Sequence, residues 1–468
     1  MRNSHPRYMC FPSVVCVGKQ TEVYIRPRDI SRIFRSEQEY ELGVVGLRDD
    51  QLSYHDKVPL DHDFEIKDGC LVFKHTFSSE QEYSIRFCKK GQKEERITLY
   101  AVEEDLYTLR PLKGDLHTHT YYSDGADGVA MTPANYREEG YDFFSLTDHN
   151  RMYTSRLAAE LYDGIPLGMH IMSGEEVHPP ESILHIVHAG GRASVCSKYI
   201  NNRDEYEKEI DKISETLLDV DEKYRRRVAM AKWTCNEIHK AGGLSILPHP
   251  FWCPNRYNLS KELLDYIYDN NMFDALEVIG GIPQAQNNFQ LALWQEKSLQ
   301  GKHLNPVASS DSHDHDISQG LFGKRFTIVF AKENSTEAIV NAVKDGYCVA
   351  SEIPVGDDKE ARFYGSLRLV LFSQFLHKTY FLETQKLCFG EGVLMRRYAE
   401  GEDVKELLSS LADTVCDFYK KFYGITAPAG LSSTQINFLD KALEAQRKCG
   451  PETCGSSLYF YGTNANRE

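Results

Sequence analysis

Residues 142–150 read Asp142-Phe-Phe-Ser-Leu-Thr-Asp-His-Asn150, a short apolar run that ends in a group of polar side chains. Similar runs, such as Leu244-Ser-Ile-Leu247 and Ala275-Leu-Glu-Val-Ile279, alternate with helical stretches between residues 113 and 353. Alternation of strands and helices is typical of α/β folds that contain a parallel sheet or a barrel. In such folds the chemistry lies where strands end and loops begin. The sequence therefore predicts an α/β fold whose functional residues follow its strands.

The segments on either side have different patterns. Residues 12–102 contain short alternating runs, and Asp68-Gly69 lies between two of them, which is a strong hairpin signal. After residue 362 the apolar residues recur at helical spacing, as in residues 403–423. We therefore expect an antiparallel β-sandwich accessory domain over 1–110, an α/β domain over 111–358 and a helical C-terminal region over 359–468.

Charge and composition exclude several classes of protein. The 468 residues include 54 Lys and Arg against 69 Asp and Glu, a net charge of −15, which argues against a chain-wide nucleic-acid surface. We find neither an apolar stretch of about 20 residues for a membrane span nor a signal peptide at the N-terminus. The 12 cysteines form no Cys-x-x-Cys pair. We therefore expect reduced thiols, a cytoplasmic location, and no nucleic-acid or membrane partner; the oligomeric state stays open.

Histidine placement carries the functional signal, since 12 of the 17 histidines fall between residues 117 and 315. In an extended strand His117 and His119 point to the same side, so both rings can reach one cation. Five apolar runs that each end in His, Asp or Glu would meet at one mouth of a barrel, as a multinuclear metal site requires. The polar tips are His117 and His119 with Asp124; Asp148 and His149; Glu175, Glu176, His178, His185 and His188; His249; and Asp311, His313 and His315.

The order of these motifs resembles the PHP (polymerase and histidinol phosphatase) superfamily of metal-dependent phosphoesterases. The matching motifs are His-x-His followed by Ser-Asp-Gly, then Thr-Asp-His-Asn, Gly-x-Glu, His-Pro and Ser-Asp-x-His. The resemblance covers about residues 113–320 and implies a distorted α/β barrel of the PHP type that holds two or three divalent ions. Mixed nitrogen and oxygen ligands suit zinc, manganese and iron alike.

Carried over to this chain, the resemblance implies three sets of metal ligands. They are His117, His119, Glu176 and Asp311 for the first ion, Glu176, His185 and His249 for the second, and Asp124, His149 and His313 for the third. The Gly-x-Glu frame favours Glu176 over Glu175, and His185 is favoured over His188. Both alternatives remain open from the sequence.

Catalytic roles are predicted for Asp311, His249 and Arg256. Asp311 would accept a proton from the attacking water, and Arg256, in the loop after His249, is preferred over Arg151, Arg192 and Lys198 for holding a phosphate. Candidates for supporting the ligands or donating a proton are Asp115, Asp148, His178, His188 and His315. Trp252 is a candidate for lining a substrate pocket.

The leading functional hypothesis is a hydrolase of small phosphorylated metabolites or nucleotides that uses a metal-bridging hydroxide. A hydroxide held between two cations does not itself choose phosphorus over carbon, so a hydrolase of carboxylic or carbamate esters is an alternative. A non-catalytic module that binds a metal or a partner is another. An exonuclease is least favoured because of the acidic charge.

Overall fold

The computed structural model describes residues 7–48, 59–182, 184–252, 259–315, 322–354 and 360–448. The chain forms two compact units, one built from residues up to 104 together with those from 419 onward, the other from residues 105–418. The predicted boundaries at 110 and 358 stay predictions. The helices between residues 367 and 411 belong to the same unit as the α/β segment.

The N-terminal unit contains two four-stranded sheets, in the orders β1-β3-β6-β5 and β2-β8-β7-β4. Their strands are β1 (Tyr8–Phe11), β2 (Val14–Cys16), β3 (Gln20–Pro27), β4 (Tyr40–Gly46), β5 (Glu65–Lys67), β6 (Cys70–Thr76), β7 (Gln81–Lys89) and β8 (Glu95–Val102). Apolar side chains of both sheets, such as Val23 and Ile85, share one core. Strand β2 pairs in parallel with β8, so the sheet is not wholly antiparallel as predicted. The reason is that the chain passes from one sheet to the other between β1 and β2.

The predicted hairpin at Asp68-Gly69 is confirmed. Strands β5 and β6 are antiparallel, and Lys67 pairs with Cys70 across the turn. Asp68 and Gly69 have φ angles of +49° and +73°, the left-handed conformation that a two-residue hairpin turn requires. Asp and Gly occupy this conformation at lower cost than other residues, so the local sequence is sufficient to specify the turn.

The larger unit has a six-stranded sheet in the order β11-β10-β9-β17-β18-β19 and a five-stranded sheet in the order β12-β13-β14-β15-β16. Their strands are β9 (Arg110–Asp115), β10 (Phe143–Ser145), β11 (His170–Met172), β12 (Gly174–Val177), β13 (Ile186–Ala189), β14 (Leu244–Leu247), β15 (Ala275–Ile279), β16 (Asn305–Ala308), β17 (Arg325–Ala331), β18 (Cys348–Glu352) and β19 (Arg362–Tyr364). Strands β14, β15 and β16 run parallel, whereas β12, β13 and β14 are antiparallel neighbours. The mixed α/β class is confirmed; the barrel and the sandwich remain predictions.

The helices are α1 (Glu104–Tyr107), α2 (Thr132–Glu138), α3 (Met152–Leu161), α4 (Cys196–Asn201), α5 (Arg203–Thr216), α6 (Glu222–Lys240), α7 (Lys261–Asp269), α8 (Gln284–Leu299), α9 (Thr336–Lys344), α10 (Leu367–Leu376), α11 (Leu382–Ala399), α12 (Lys405–Leu411), α13 (Thr414–Phe422) and α14 (Ser433–Lys448). Residues 403–423, one helical stripe in the sequence, divide into α12 and α13. Among the described residues, no helix combines the length and the apolar character needed to cross a membrane.

A buried ion pair joins α2 to α11. Arg137 Nε donates a hydrogen bond of 2.7 Å to Glu391 Oε2, and the backbone N–H of Gly168 donates to Glu391 Oε1 over 2.6 Å. The side chains of Arg137 and Glu391 are 0% and 1% exposed. A charge at such a depth is tolerated only when it is paired. The pair therefore anchors a helix of the predicted C-terminal region inside the unit of residues 105–418.

We expect Arg137→Gln to lower the free energy of unfolding by about 3 to 5 kcal/mol, because it leaves the Glu391 carboxylate buried without its partner. Urea denaturation measures the change. The control is Glu402→Gln, since the side chains of Arg397 and Glu402 are 43% and 50% exposed and such a pair contributes at most about 1 kcal/mol. Equal effects of the two substitutions would contradict the anchoring role.

Candidate metal centre

The ends of seven strands of the larger unit meet in one cluster of histidine and carboxylate side chains. His117 and His119 follow β9, His149 follows β10, Glu176 lies in β12, His185 precedes β13, His249 follows β14, Glu277 lies in β15, and Asp311 and His313 follow β16.

The first group in the cluster consists of His117, His119, Glu176 and Asp311. His117 Nε2 lies 3.1 Å from His119 Nε2 and 3.3 Å from both Glu176 Oε2 and Asp311 Oδ1. His119 Nε2 lies 3.3 Å and 3.1 Å from the same two oxygens. Ligand atoms around one zinc ion are about 3.4 Å apart when each metal–ligand bond is about 2.1 Å. The spacing of these four side chains therefore fits one cation.

The second group lies on the other oxygen of the same carboxylate. Glu176 Oε1 is 2.9 Å from His185 Nδ1 and 3.3 Å from His249 Nε2. His188, the alternative to His185, lies instead against Glu175, with 3.2 Å between Nδ1 and Oε1. Glu175 also accepts hydrogen bonds from Ser194 and Val195, on the opposite face of β12. The structure thus brings Glu176 and His185 to the cluster, and not Glu175 and His188.

The third group surrounds Asp124. Its Oδ2 lies 3.3 Å from both His149 Nε2 and His313 Nε2, and its Oδ1 lies 3.9 Å from His119 Nδ1. The backbone N–H of Ala126 donates to the carbonyl oxygen of His313 over 2.6 Å, which holds the two loops together. The Asp124 side chain is 51% exposed, so this group is the most open of the three.

Glu277 is a member of the site that sequence reasoning missed. Its Oε1 lies 2.8 Å from His117 Nδ1, and both side chains are fully buried. A carboxylate at this nitrogen fixes a proton on Nδ1, so Nε2, which faces Glu176 and Asp311, is the nitrogen available to a metal. The available signal was a single Glu inside the otherwise apolar run of residues 275–279.

Two buried aspartates hold the loops that carry the cluster. Asp115 accepts hydrogen bonds from the backbone N–H groups of His117 and Ser310, at 3.2 Å and 3.1 Å. Asp148 accepts from the backbone N–H of Thr120 over 2.7 Å. These contacts join the loops after β9, β10 and β16, so the predicted supporting role fits the positions of both aspartates.

The backbone is strained at two of the cluster residues. His249 and Asp311 have φ angles of +28° and +49°, which cost a non-glycine residue about 1 to 2 kcal/mol. Gly281 permits the close approach of the loop after β15, because a Cβ atom there would lie 2.3 Å from Ser310 O and 2.6 Å from Asp311 Cβ. Close packing between the loops after β15 and β16 therefore surrounds the left-handed backbone of Asp311, a residue type that tolerates this conformation better than most.

The cluster opens onto a cavity of about 290 Å³. Among the described residues, its walls carry four carboxylates and no lysine or arginine. The lining residues are Asp124, His149, Glu176, His185, His249, Trp252, Gly281, Asp311, Ser312, His313, Asp314 and Phe322. Arg256 lies outside the described residues. Lys198 pairs with Glu237, and Arg192 lies 3.9 Å from Glu337, so neither extends into this cavity.

Several buried polar atoms in the cluster make no well-aligned hydrogen bond among the described residues, although some of them lie close to one another. They are Glu176 Oε2, His149 Nδ1, His178 Nε2, His185 Nδ1 and His249 Nδ1. A buried polar atom without a well-aligned hydrogen bond costs free energy, and nitrogen and carboxylate oxygen atoms are ligands of zinc, manganese and iron. The donor set therefore fits divalent metal ions.

The charges of the cluster shift its pKa values strongly. Burial opposes a positive charge on His119, yet Asp311 and Glu176 raise its pKa to about 9. The pKa of His117 is raised well above its ordinary value by Asp311, Glu277 and Glu176, again against burial. Burial likewise opposes the negative charge on Glu176, but His117 and its neighbours hold its pKa well below the usual range. Protons on these histidines therefore compete with any metal ion.

Comparison with known proteins yields short or partial matches. No protein-family model matches the chain. The DNA polymerase/3'-5' exonuclease PolX of Bacillus subtilis is 31% identical over 85 residues, which cover 16% of this chain and 14% of that protein. The chain thus spans about one seventh of this curated relative.

Solved structures that match cover about half of the chain. A two-domain protein of Bacteroides vulgatus, described as containing a predicted PHP-like metal-dependent phosphoesterase, is 21% identical over 52% of this chain and 65% of its own, with a TM-score of 0.36. A protein of Bifidobacterium adolescentis assigned as a metal-dependent phosphoesterase is 20% identical over 43% of this chain and 87% of its own, with a TM-score of 0.31. An amidohydrolase of Chromobacterium violaceum is 19% identical over the same shares, with a TM-score of 0.29.

We predict that the stabilising contribution of His119 in chelator-treated protein is lost as the pH rises from about 6.5 to 9.5. His119 has a higher pKa in the folded than in the unfolded chain, so its contribution is complete below about pH 6.5 and is lost as the pH passes about 9. The expected loss of this contribution is about 3 kcal/mol, measured by urea denaturation as the difference between the wild type and His119→Gln at each pH. A difference that stays constant over this interval would contradict it.

We predict that Glu277→Gln weakens metal binding about 10- to 100-fold, because an amide no longer fixes the proton on His117 Nδ1. Competition with a coloured chelator measures the affinity for Zn²⁺. The control is Glu237→Gln, a carboxylate of α6 that is 7% exposed and pairs with Lys198. Unchanged affinity in the Glu277 variant would contradict the orienting role.

Proposed function

We propose that this chain is a metal-dependent hydrolase of the PHP type that acts on phosphoesters of small metabolites or nucleotides. The observation that carries the proposal is the Glu176 carboxylate, which is 1% exposed and has histidine nitrogens within 3.3 Å of each oxygen. A carboxylate with histidines on both sides can be shared by two cations, which is the arrangement used in two-metal hydrolysis.

The proposed ligands follow the three groups of the cluster. One ion would be held by His117, His119, Glu176 and Asp311. A second would be held by Glu176, His185 and His249, and a third by Asp124, His149 and His313. Zinc, manganese and iron all accept this donor set. Bound divalent ions would lower the pKa of a water molecule and stabilise negative charge on a phosphoryl oxygen.

The side chains of the chain itself have separate roles in this proposal. Asp311, with 14% of its side chain exposed, is the acceptor of the proton that the attacking water loses. His249 lies in the cavity wall and orients the phosphoryl group beside Asp311. Trp252 and Phe322 line the same cavity and exclude water from the leaving group. The phosphate-binding role of Arg256 stays a prediction.

The cavity supports a small substrate better than a polynucleotide. Its described walls carry carboxylates and no lysine or arginine, so this part of the cavity offers no basic side chain to a long anion, and the net charge of −15 argues against a chain-wide basic surface. The same lack of basic side chains supports a second candidate, a hydrolase of carboxylic or carbamate esters. Nothing in the described walls selects a phosphate dianion over such an ester.

In finer detail, we propose that the two sheets of residues 105–418 form the distorted α/β barrel that the resemblance implies. The two sheets of the N-terminal unit would form an accessory sandwich. Their shared apolar core supports this view, although β2 pairs in parallel with β8.

The function is tested with p-nitrophenyl phosphate, bis-p-nitrophenyl phosphate and p-nitrophenyl acetate, each with Zn²⁺, Mn²⁺ or Fe²⁺ and after chelation. We expect the fastest metal-dependent turnover on the phosphomonoester. Faster metal-dependent turnover of the acetate would favour the ester hydrolase. Metal-loaded protein that turns over none of them would favour a non-catalytic binding module.

We predict that Glu176→Gln loses two metal ions together and that hydrolysis falls by orders of magnitude. The substitution keeps the size of the side chain and removes the charge that offsets the mutual repulsion of two divalent ions. Elemental analysis after dialysis counts the ions, and circular dichroism checks the fold.

Glu175→Gln is the matched control for this prediction. Its carboxylate lies on the opposite face of β12, where it accepts from the backbone N–H of Val195 over 2.6 Å. The variant should lose stability and keep its metal content. Loss of metal from the Glu175 variant but not from the Glu176 variant would contradict the shared-carboxylate proposal.

A further inference from the structure

The ring of His149 lies between two different groups of side chains. Its Nε2 is 3.3 Å from Asp124 Oδ2, and its Nδ1 is 2.7 Å from Glu176 Oε2. A neutral imidazole carries one lone pair and one N–H. His149 can therefore bind a cation on the Asp124 side or on the Glu176 side, but not on both at once.

His178 completes a donor set on the Glu176 side. Its Nε2 lies 3.6 Å from Glu176 Oε2, and the donor atoms of His149, Glu176 and His178 all lie within 4.8 Å of one another. His178 Nε2 is buried and has no hydrogen-bond partner among the described residues. His178 follows directly after β12 and is two residues from Glu176, so in extended backbone both side chains point to the same side.

The position of His178 is fixed by its surroundings. Its backbone N–H donates to Asn150 Oδ1 over 2.8 Å, and the hydroxyl of Tyr199 donates to its carbonyl oxygen over 3.1 Å. The backbone N–H of Asn150 in turn donates to the carbonyl oxygen of Glu176 over 2.9 Å. The His178 ring stacks on that of His185, with 3.7 Å between centroids and 24° between planes. The nitrogen is thus held facing Glu176.

We propose that His149, Glu176 and His178 form a second position for a divalent cation, exclusive of the position at Asp124 and His313. The inference rests on the metal centre of the proposed function. Two imidazole nitrogens and one carboxylate oxygen suit zinc, iron, cobalt or manganese. The nitrogen of His149 that carries the proton decides which position binds the ion, and the tautomers interchange when one nitrogen releases a proton to solvent and the other takes one up.

The two positions differ in their access to the cavity. Asp124, His149 and His313 all line it, whereas His178 is absent from its described walls. An ion held by His178 is therefore withdrawn from the cavity wall toward β12. A substrate then faces one cation fewer. The position at which His149 binds the ion therefore regulates the positive charge at the cavity wall.

The test counts Co²⁺ ions bound after equilibrium dialysis in the full chain and in three variants: Asp124→Asn, His178→Ala and the double variant. Because each position can replace the other, each single variant should keep the wild-type number of ions. The double variant should bind one ion fewer. The matched control combines Asp124→Asn with His239→Ala, a partly exposed histidine that pairs with Asp274, and it should keep the full number.

Any other pattern overturns the inference. A full count in the double variant means that His178 holds no ion, and loss of an ion in either single variant means that the positions do not replace each other. Loss of every ion in a folded double variant also contradicts it, because neither side chain belongs to the other two positions. Circular dichroism checks the fold, and His178→Gln replaces His178→Ala if that variant does not fold. A wild-type chain that binds no Co²⁺ overturns the proposed metal centre as well.

Discussion

A buried carboxylate surrounded by imidazole nitrogens is the constraint on which the rest of the site depends. Glu176 is 1% exposed, and its Oε2 lies 3.3 Å from the Nε2 atoms of both His117 and His119. Burial of an isolated carboxylate costs several kcal/mol, so positive charge must lie among these atoms, as protons or as metal ions. Metal ions satisfy the requirement by displacing protons from these rings, because each neutral imidazole offers one nitrogen lone pair to a metal.

The fold keeps this carboxylate in place by connecting loops that are distant in the sequence. Asp115 ties the backbone after β9 to Ser310 in the loop after β16, and the N–H of Asp311 donates to the carbonyl oxygen of His117 over 3.0 Å. The left-handed backbone of Asp311 lies within these contacts. Such local strain is stable only where the surroundings over-determine it, and it is common at functional sites.

Sequence reasoning succeeded where a feature depends on neighbouring residues. Strands β14 and β15 match the apolar runs residue for residue, and the Asp68-Gly69 hairpin follows from turn chemistry. The charged stretch 204–241, which the sequence predicts as one long helix, forms two helices instead. Helix α5 ends at Thr216, and Asp221 begins α6 by accepting a hydrogen bond from the N–H of Lys223. The sequence alone does not distinguish an Asp inside a charged helix from an Asp that caps the start of a helix.

Long-range contacts account for the features that the sequence could not reveal. The choice of His185 over His188 depends on which side of β13 faces Glu176, and a register shift of one residue would reverse it. Glu277 contacts His117 across 160 positions of sequence, so no motif connects them. The ligand-type residues were recognisable by type and order, whereas their grouping required the fold.

Anomalous X-ray diffraction from crystals of the full chain grown with Zn²⁺ tests the central claim most directly. We expect strong anomalous-difference peaks at the zinc edge on both sides of the Glu176 carboxylate. Each peak should lie about 2.0 to 2.2 Å from one carboxylate oxygen and from histidine nitrogens. Absence of any peak at Glu176, with zinc bound elsewhere or nowhere, would contradict the assignment of this cluster as a metal centre.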